Sequence, residues 1–110
     1  MSGLQDSTEF QFNWELARED IRRLRRRAKE LGILEEFEAT LFQIEKNLAR
    51  DPLGWGEPKW KTKAAGGIYC CKIHQLLAIR YFVYPDHKKG MVQRVFPLQH
   101  HPLYQEESQD

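Results

Sequence analysis

The stretch that decides the fold is LLAIRYFVYPDHKKGMVQRVFPL, from Leu76 to Leu98. Two runs rich in Leu, Ile, Val, Tyr and Phe, residues 76–85 and 91–98, flank the polar segment PDHKKG. Such residues favour strands, and a short polar segment with a glycine is typical of a hairpin connection. A third run of the same kind, IYCCKI at residues 68–73, precedes them. The three runs predict an antiparallel β-meander.

The N-terminal half has a helical pattern instead. One set of apolar residues at three- and four-residue spacing is Leu16, Ala17, Ile21, Leu24, Ala28 and Leu31. A second set is Leu34, Phe37, Leu41, Ile44 and Leu48. Each set forms one apolar helix face, and we expect Gly32 to end the first helix and Pro52 to end the second. The short connection predicts an antiparallel helical hairpin.

Two shorter segments complete the predicted layout. In EFQFNW, residues 9–14, aromatic and polar residues alternate, which predicts a short strand, and Asn13 could cap the first helix. DPLGWGEPKW, residues 51–60, contains two Gly and two Pro and predicts a turn-rich connection. The predicted fold class is α+β, a short N-terminal strand and a helical hairpin packed on the meander.

The composition is typical of one small domain. The chain has 110 residues, of which 41% are hydrophobic. We expect residues 1–8 to be flexible, residues 9–105 to form the domain, and residues 106–110 to be an acidic tail. There is no apolar run near the roughly 20 residues that a membrane span requires. The N-terminus has no signal-peptide pattern, so we expect a cytoplasmic protein without membrane contact.

The charge distribution and the cysteine positions indicate which partners and cofactors to expect. Residues 52–104 carry eight Lys or Arg against two Asp or Glu, which favours a polyanionic partner. Cys70 and Cys71 are adjacent, without the two-to-four-residue gap of common zinc sites. No glycine-rich phosphate loop or Ser–His–Asp pattern is present. We therefore expect no metal and no cofactor.

The order of these elements resembles the RelE/ParE superfamily, small toxins of bacterial type II toxin–antitoxin systems. The similarity covers residues 9–105 and is best in NWELAREDIRRL, DPLGWG and IRYFVYPDHKKGMVQRVF. It implies a toxin that cleaves mRNA on the ribosome without metal and is neutralised by a cognate antitoxin. The alternative is a catalytically inactive protein that acts through a protein partner, for example by ParE-like inhibition of gyrase. Whether the chain is an enzyme stays open.

Metal-free RNA cleavage requires a base, an acid and cations around the phosphate. The resemblance places the acid–base residues in LQHHPLYQ, residues 98–105, as His100 or His101, with Tyr104 to stack on a base or donate a proton. A histidine pKa of about 6.5 suits both proton-transfer roles. The alternative is that exposed histidines near a terminus have no role.

The candidate phosphate ligand is Arg80, which interrupts an apolar strand and requires an acceptor or a cleft. The family pattern would place cations at Ala78 and Leu98, where this chain has none. Arg80 has the same strand parity as Ala78, about 7 Å further along, and we expect it to substitute. Arg94 is a second candidate cation and Lys72 a weaker one. The alternative for Arg80 is a salt bridge to a glutamate of the second helix.

Two basic segments are further candidates. In KWKTK, Lys59, Lys61 and Lys63 could follow a nucleic-acid backbone while Trp60 stacks on a base, although we favour Trp60 and Trp55 as closing the core. RRLRRR, residues 22–27, begins a cluster that could dock on ribosomal RNA or on an acidic antitoxin segment. The cluster consists of Arg22, Arg25, Arg26 and Lys29. Its alternative is a solvated helix face paired with Glu19, Asp20 and Glu30.

Overall fold

The computed structural model describes residues 9–61 and 66–105, which form three helices and a five-stranded sheet. The helices are α1 (Arg18–Leu31), α2 (Leu34–Arg50) and α3 (Pro52–Trp55). The strands are β1 (Gln11–Asn13), β2 (Glu57–Lys61), β3 (Ile68–His74), β4 (Leu77–Tyr84) and β5 (Lys89–Pro97). The predicted α+β class, the helical hairpin and the meander are confirmed. The predicted flexible N-terminus and acidic tail lie outside the described residues.

The sheet has the strand order β1-β5-β4-β3-β2. Strands β2 to β5 are antiparallel neighbours, whereas β1 runs parallel to β5. The chain leaves β1 at one edge, passes through the helices and enters β2 at the other edge. Because the meander then returns to the first edge, β5 meets β1. A parallel pair of this kind requires a long connection, which the helices and the meander supply.

The predicted turn-rich connection at residues 51–60 is wrong, because this segment contains α3 and the edge strand β2. An Asp51 carboxylate oxygen accepts a hydrogen bond from the Gly54 N–H at 3.1 Å, and Pro52 occupies the first position of α3. Proline suits that position because the first N–H of a helix has no internal partner. Pro58 is tolerated in β2 because the strand lies at the sheet edge, where its pairing with β3 is irregular.

The start of the helical pattern also differs from the prediction. Residues Glu15–Ala17 form a 3₁₀ turn before α1, and the Asn13 side chain accepts the Glu15 N–H at 2.7 Å. Asn13 therefore forms a local side-chain turn just before the N-cap Trp14 and does not cap α1. The tighter turn changes the phase of the apolar face, so Ala17 is buried while Leu16 is 57% exposed. At the other end, Gly32 has φ +75° and ends α1 as predicted.

The core lies between the helical hairpin and one face of the sheet. Alternate residues of β4 point into it, and Ile79, Tyr81 and Val83 are fully buried. The Tyr81 hydroxyl donates a hydrogen bond to the Pro52 carbonyl at 2.5 Å and so joins the sheet to the start of α3. The remaining β4 residues, among them Arg80, point to the other side of the sheet, which we call the open face.

Strand β1 packs against this core through a close contact between Phe12 and Gly90. Phe12 of β1 pairs with Gly90 of β5, and its ring lies edge-on to Tyr81 at 5.8 Å. A Cβ atom at Gly90 would lie 2.2 Å from the Phe12 ring. Only glycine therefore leaves room for Phe12 to cover this end of the core.

Replacing Tyr81 by Phe should lower the free energy of unfolding by about 1–2 kcal/mol, because the buried Pro52 carbonyl loses its donor. The control is Tyr84→Phe at the half-buried end of the same strand, with an expected effect of about 0.5 kcal/mol or less. Urea denaturation measures both. Equal losses in the two variants would show that the Tyr81 hydroxyl does not join the two elements.

Candidate functional site

Side chains on the open face form rows across the strands, because register partners on neighbouring strands point to the same side. One row consists of Trp60, Tyr69, Phe82 and Met91. The Trp60 ring stacks on Tyr69 with centroids 4.6 Å apart, and Tyr69 lies 5.2 Å from Phe82. Trp60 is 60% exposed, so the interpretation that it closes the core is wrong. The register shift between Pro58 and Trp60 gives it this position at the sheet edge.

The next row places two arginines opposite each other. Arg80 of β4 pairs in register with Arg94 of β5. Their guanidinium carbons lie 5.0 and 5.3 Å from the centroid of the Phe96 ring. Like charges directly opposite on neighbouring strands repel each other, so this arrangement favours a bound anion.

The alternative role for Arg80, a salt bridge to a glutamate of α2, is wrong. The α2 helix packs on the core side of the sheet, whereas Arg80 is exposed on the open face. Among residues 9–61 and 66–105, Arg80 has no ion-pair partner. Its charge is therefore available to a ligand.

A β-bulge aims Arg94 at the open face. Tyr81 pairs with Val92, but Arg80 pairs with Arg94, so Gln93 is an extra residue in β5. In a regular strand Arg94 would share the core-facing side of Val92. The bulge reverses this parity, as bulges do where a side chain must be redirected.

Asp20 of α1 is the second determinant of the Arg94 position. One carboxylate oxygen accepts the Val95 N–H at 3.0 Å and the Arg94 Nε–H at 2.7 Å. Strand β1 pairs with β5 only at residues 89–91, so Asp20 satisfies a backbone donor beyond the end of that pairing. The sequence indicated only local partners for Asp20. Its real partners are 74 and 75 positions away and left no local signal.

The edge cleft lies where α1, β5 and the C-terminal segment, residues 98–105, meet, and its volume is ≈400 Å³. Its principal lining residues are Arg23, Leu24, Arg27, Arg94, Leu103 and Tyr104. Leu103 is 2% exposed and anchors the segment, so Tyr104 lies at the cleft together with three arginines. Arg23 and Arg27 were not singled out as site residues, because the residues that complete the cleft around them come from β5 and the C-terminus.

The two candidate histidines lie elsewhere. His101 lines a separate cavity of ≈190 Å³ beside Ile33 and Phe37, at the end of the helical hairpin. Its Nδ1 accepts the Leu103 N–H at 2.9 Å, and burial lowers its pKa. His100 is exposed in the turn that follows β5, with φ +81°. The structure thus brings Arg80 and Tyr104 each close to Arg94, whereas His101 lies on the helix side of the sheet.

The candidate lysines do not form one surface with Arg80. Lys72 pairs in register with the buried Ile79, and its ammonium lies 5.4 Å from the Trp55 ring on the core side of β3. Trp55 packs against the core, as predicted. Lys59 forms an ion pair with Glu57 at 3.2 Å, Lys61 is exposed at the end of β2, and Lys63 lies outside the described residues.

The basic cluster of α1 is partly paired. Arg22 lies 3.0 Å from Glu19, and Arg25 forms two hydrogen bonds with Glu38 of α2, which lowers the pKa of that carboxyl. Arg26 and Lys29 are exposed and have no ion-pair partner in the described ranges. Docking through this cluster stays a prediction.

Comparisons with known proteins yield no relative. No protein-family model matches the chain, and no curated protein or solved structure is significantly similar to it. The RelE/ParE resemblance therefore stays a prediction that rests on the residues quoted above. Within the part of the chain that the structure describes, each helix is too short or too polar to cross a membrane.

Replacing Asp20 by Ala should lower the free energy of unfolding by about 2 kcal/mol, because the buried Val95 N–H loses its acceptor. Asp20→Asn should cost less, since an amide oxygen can still accept this bond. The control is Glu19→Ala, which removes an exposed ion pair with Arg22 and should change stability by about 0.5 kcal/mol or less. Urea denaturation that gave Asp20→Ala and Glu19→Ala the same stability would contradict this role.

The stability of the C-terminal segment should depend on pH through His101. Because burial lowers its pKa, the folded chain binds a proton there less readily than the unfolded chain. This contribution is present above about pH 6.5 and is lost as the pH falls through the folded pKa. His101→Gln should therefore reduce the fall in urea midpoint between about pH 7 and pH 5. His74, whose pKa burial also lowers, leaves a residual slope.

The matched control is His100→Gln, at the exposed neighbouring position. It should keep the slope of the unmodified chain. If His101→Gln keeps that slope as well, protonation of His101 is not coupled to folding.

Proposed function

We propose that this chain is a RelE/ParE-like protein that binds single-stranded RNA across the open face of its sheet. The observation that carries the proposal is the pairing of Arg80 with Arg94 next to an aromatic row, on the side of the sheet opposite the helices.

The two arginines would bind the phosphate backbone. Arg80 has no ion-pair partner in the described ranges, and Arg94 uses its Nε on Asp20, which leaves its terminal nitrogens for a ligand. Both guanidinium groups lie close to the Phe96 ring and repel each other. A phosphate between them would replace this repulsion with charge-assisted hydrogen bonds.

The aromatic row would hold the bases. One side of the Trp60 ring is stacked on Tyr69, and its exposure leaves area for a base. Stacking on aromatic side chains is tolerant of sequence because every base has a π-face. Neighbouring rows are about 7 Å apart along the strands. Trp60 also lies two strands from Arg80, about 10 Å across the sheet. A segment of two or more nucleotides could therefore place a phosphate at the arginines and a base at Trp60.

RNA cleavage and neutralisation by an antitoxin are the parts of the proposal that rest on the resemblance alone. Binding has more support than cleavage, since the Nδ1 of His101 is engaged by the Leu103 N–H on the other side of the sheet. His100 remains exposed and Tyr104 lies close to Arg94. Action through a protein partner such as gyrase stays the alternative proposal.

The test is fluorescence anisotropy with a labelled single-stranded RNA of about 12 nucleotides at several salt concentrations. Arg80→Gln should weaken binding about tenfold and reduce the salt slope by about one, as expected for one lost phosphate contact. Trp60→Ala should also weaken binding about tenfold through lost stacking.

The control is Arg50→Gln at the exposed end of α2, which should bind as the unmodified chain does. Equal losses in Arg80→Gln and Arg50→Gln would contradict a site on the open face. The same RNA, run on a denaturing gel, tests cleavage. Cleavage that persists in a His100→Ala, His101→Ala double variant would exclude the histidines as acid or base.

A further inference from the structure

The edge cleft carries positive charge from α1 that neither the fold nor the open face requires. Three arginines line it, Arg23 and Arg27 from α1 and Arg94 from β5, against the single carboxylate of Asp20. Arg23 and Arg27 are four positions apart, so they extend from neighbouring turns on the same side of α1. Like charges so placed are unfavourable without an anion between them.

Of the three arginines, only Arg94 has a close carboxylate, the Asp20 oxygen 2.7 Å from its Nε. The Asp20 oxygen closest to β5 already accepts two hydrogen bonds, and its other oxygen lies 3.9 Å from Arg23. Arg27 is 3.8 Å from Glu30, whose side chain is largely exposed. Both distances are near the upper limit for an ion pair, and exposed ion pairs contribute little to stability.

Arg27 is the most poorly paired of the three arginines. Its Nε is buried and has no hydrogen-bond partner among the residues that the structure describes. A buried donor without an acceptor is costly, and a guanidinium more so than a neutral group. Because this Nε is not solvent-accessible, an anion in the edge cleft would bind the terminal nitrogens of Arg27 and offset the charge of the group.

The shape and lining of the edge cleft indicate the class of anion. Its volume of ≈400 Å³ lies within the range of sites for small organic ligands. Leu24 and Leu103 form the apolar wall of the cleft, and the half-exposed ring of Tyr104 lies at its opening. A phosphate that carries a flat or apolar group would contact the arginines through the phosphate, and the leucines and Tyr104 through that group.

We propose that the edge cleft is a binding site for the terminal phosphate of a nucleotide. Arg23, Arg27 and Arg94 bind the phosphate, and the Tyr104 ring contacts the sugar or base. The source is either a free mononucleotide or the phosphorylated end of an RNA strand. The site does not rest on RNA binding by the open face, because two of its three arginines belong to α1.

The first experiment is isothermal titration of the full chain with adenosine 5′-monophosphate, inorganic phosphate and adenosine. The monophosphate should bind, inorganic phosphate should bind more weakly, and adenosine should not bind. Arg27→Met should weaken monophosphate binding about tenfold, the loss expected for one charge-assisted contact. The control Arg26→Met, an exposed neighbour that does not line the edge cleft, should bind normally.

Circular dichroism checks that Arg27→Met is folded, and Arg23→Gln is the second variant if it is not. The site is overturned if neither phosphate compound binds the full chain, or if Arg27→Met and Arg26→Met lose affinity equally. Arg80→Gln, which lies on the open face, should retain monophosphate binding. Failure of this inference and failure of RNA binding are thus distinguishable.

A second arm identifies the source of the phosphate. The same short RNA is compared with a 5′-phosphate and with a 5′-hydroxyl. Tighter binding of the phosphorylated strand, lost in Arg27→Met, supports the site and assigns it to an RNA end. Equal binding of the two strands, together with binding of the monophosphate, supports the site and assigns it to a free nucleotide.

Discussion

The carboxylate of Asp20 joins the helical layer to the sheet where β1 no longer covers the edge of β5. One of its oxygens accepts hydrogen bonds from the Val95 N–H and the Arg94 Nε–H. The Asp20 side chain is only 11% exposed. A buried carboxylate is unfavourable unless several donors satisfy it, and here the donors come from backbone and side chain of one strand. The contact therefore holds α1 against β5 and, in doing so, shapes the edge cleft.

Arg94 belongs to both candidate sites as a result. Its backbone register places it opposite Arg80 on the open face, while its Nε bond to Asp20 holds it at the edge cleft. A phosphate bound at either site would reduce the positive field available to a phosphate at the other, so the two sites should compete for this residue. The exposed Trp60 and Ile73 on the open face add apolar surface that folding alone leaves unused, which is typical of an interaction surface.

Long periodic segments were predicted well, and irregular ones were not. Both helices and the three strands of the meander follow from apolar spacing, because burial of one face imposes a fixed period. Strand β2 and helix α3 were missed since Gly and Pro normally mark turns, whereas here Pro52 starts a helix and Pro58 lies in an edge strand. For the candidate site, Arg80 was identified from its unusual setting in an apolar strand, and Arg94 as a second cation on the next strand. Arg23, Arg27 and Asp20 were not, because a helix surface rich in charge gives no local signal of which residues face β5 and the C-terminal segment.

By itself the sequence determined the α+β class, the helical hairpin, the meander and the basic character of the C-terminal half, all of which depend on composition and local spacing. Only the tertiary structure decided which cations meet. The bulge at Gln93 changes the face of Arg94, and the parallel pairing of β1 leaves Val95 free to bond with Asp20. The tertiary structure also separates His101 from Arg80, because the C-terminal segment turns toward the helices. The physical reason is that strand register and long-range hydrogen bonds depend on residues far apart in the chain, which local periodicity does not encode.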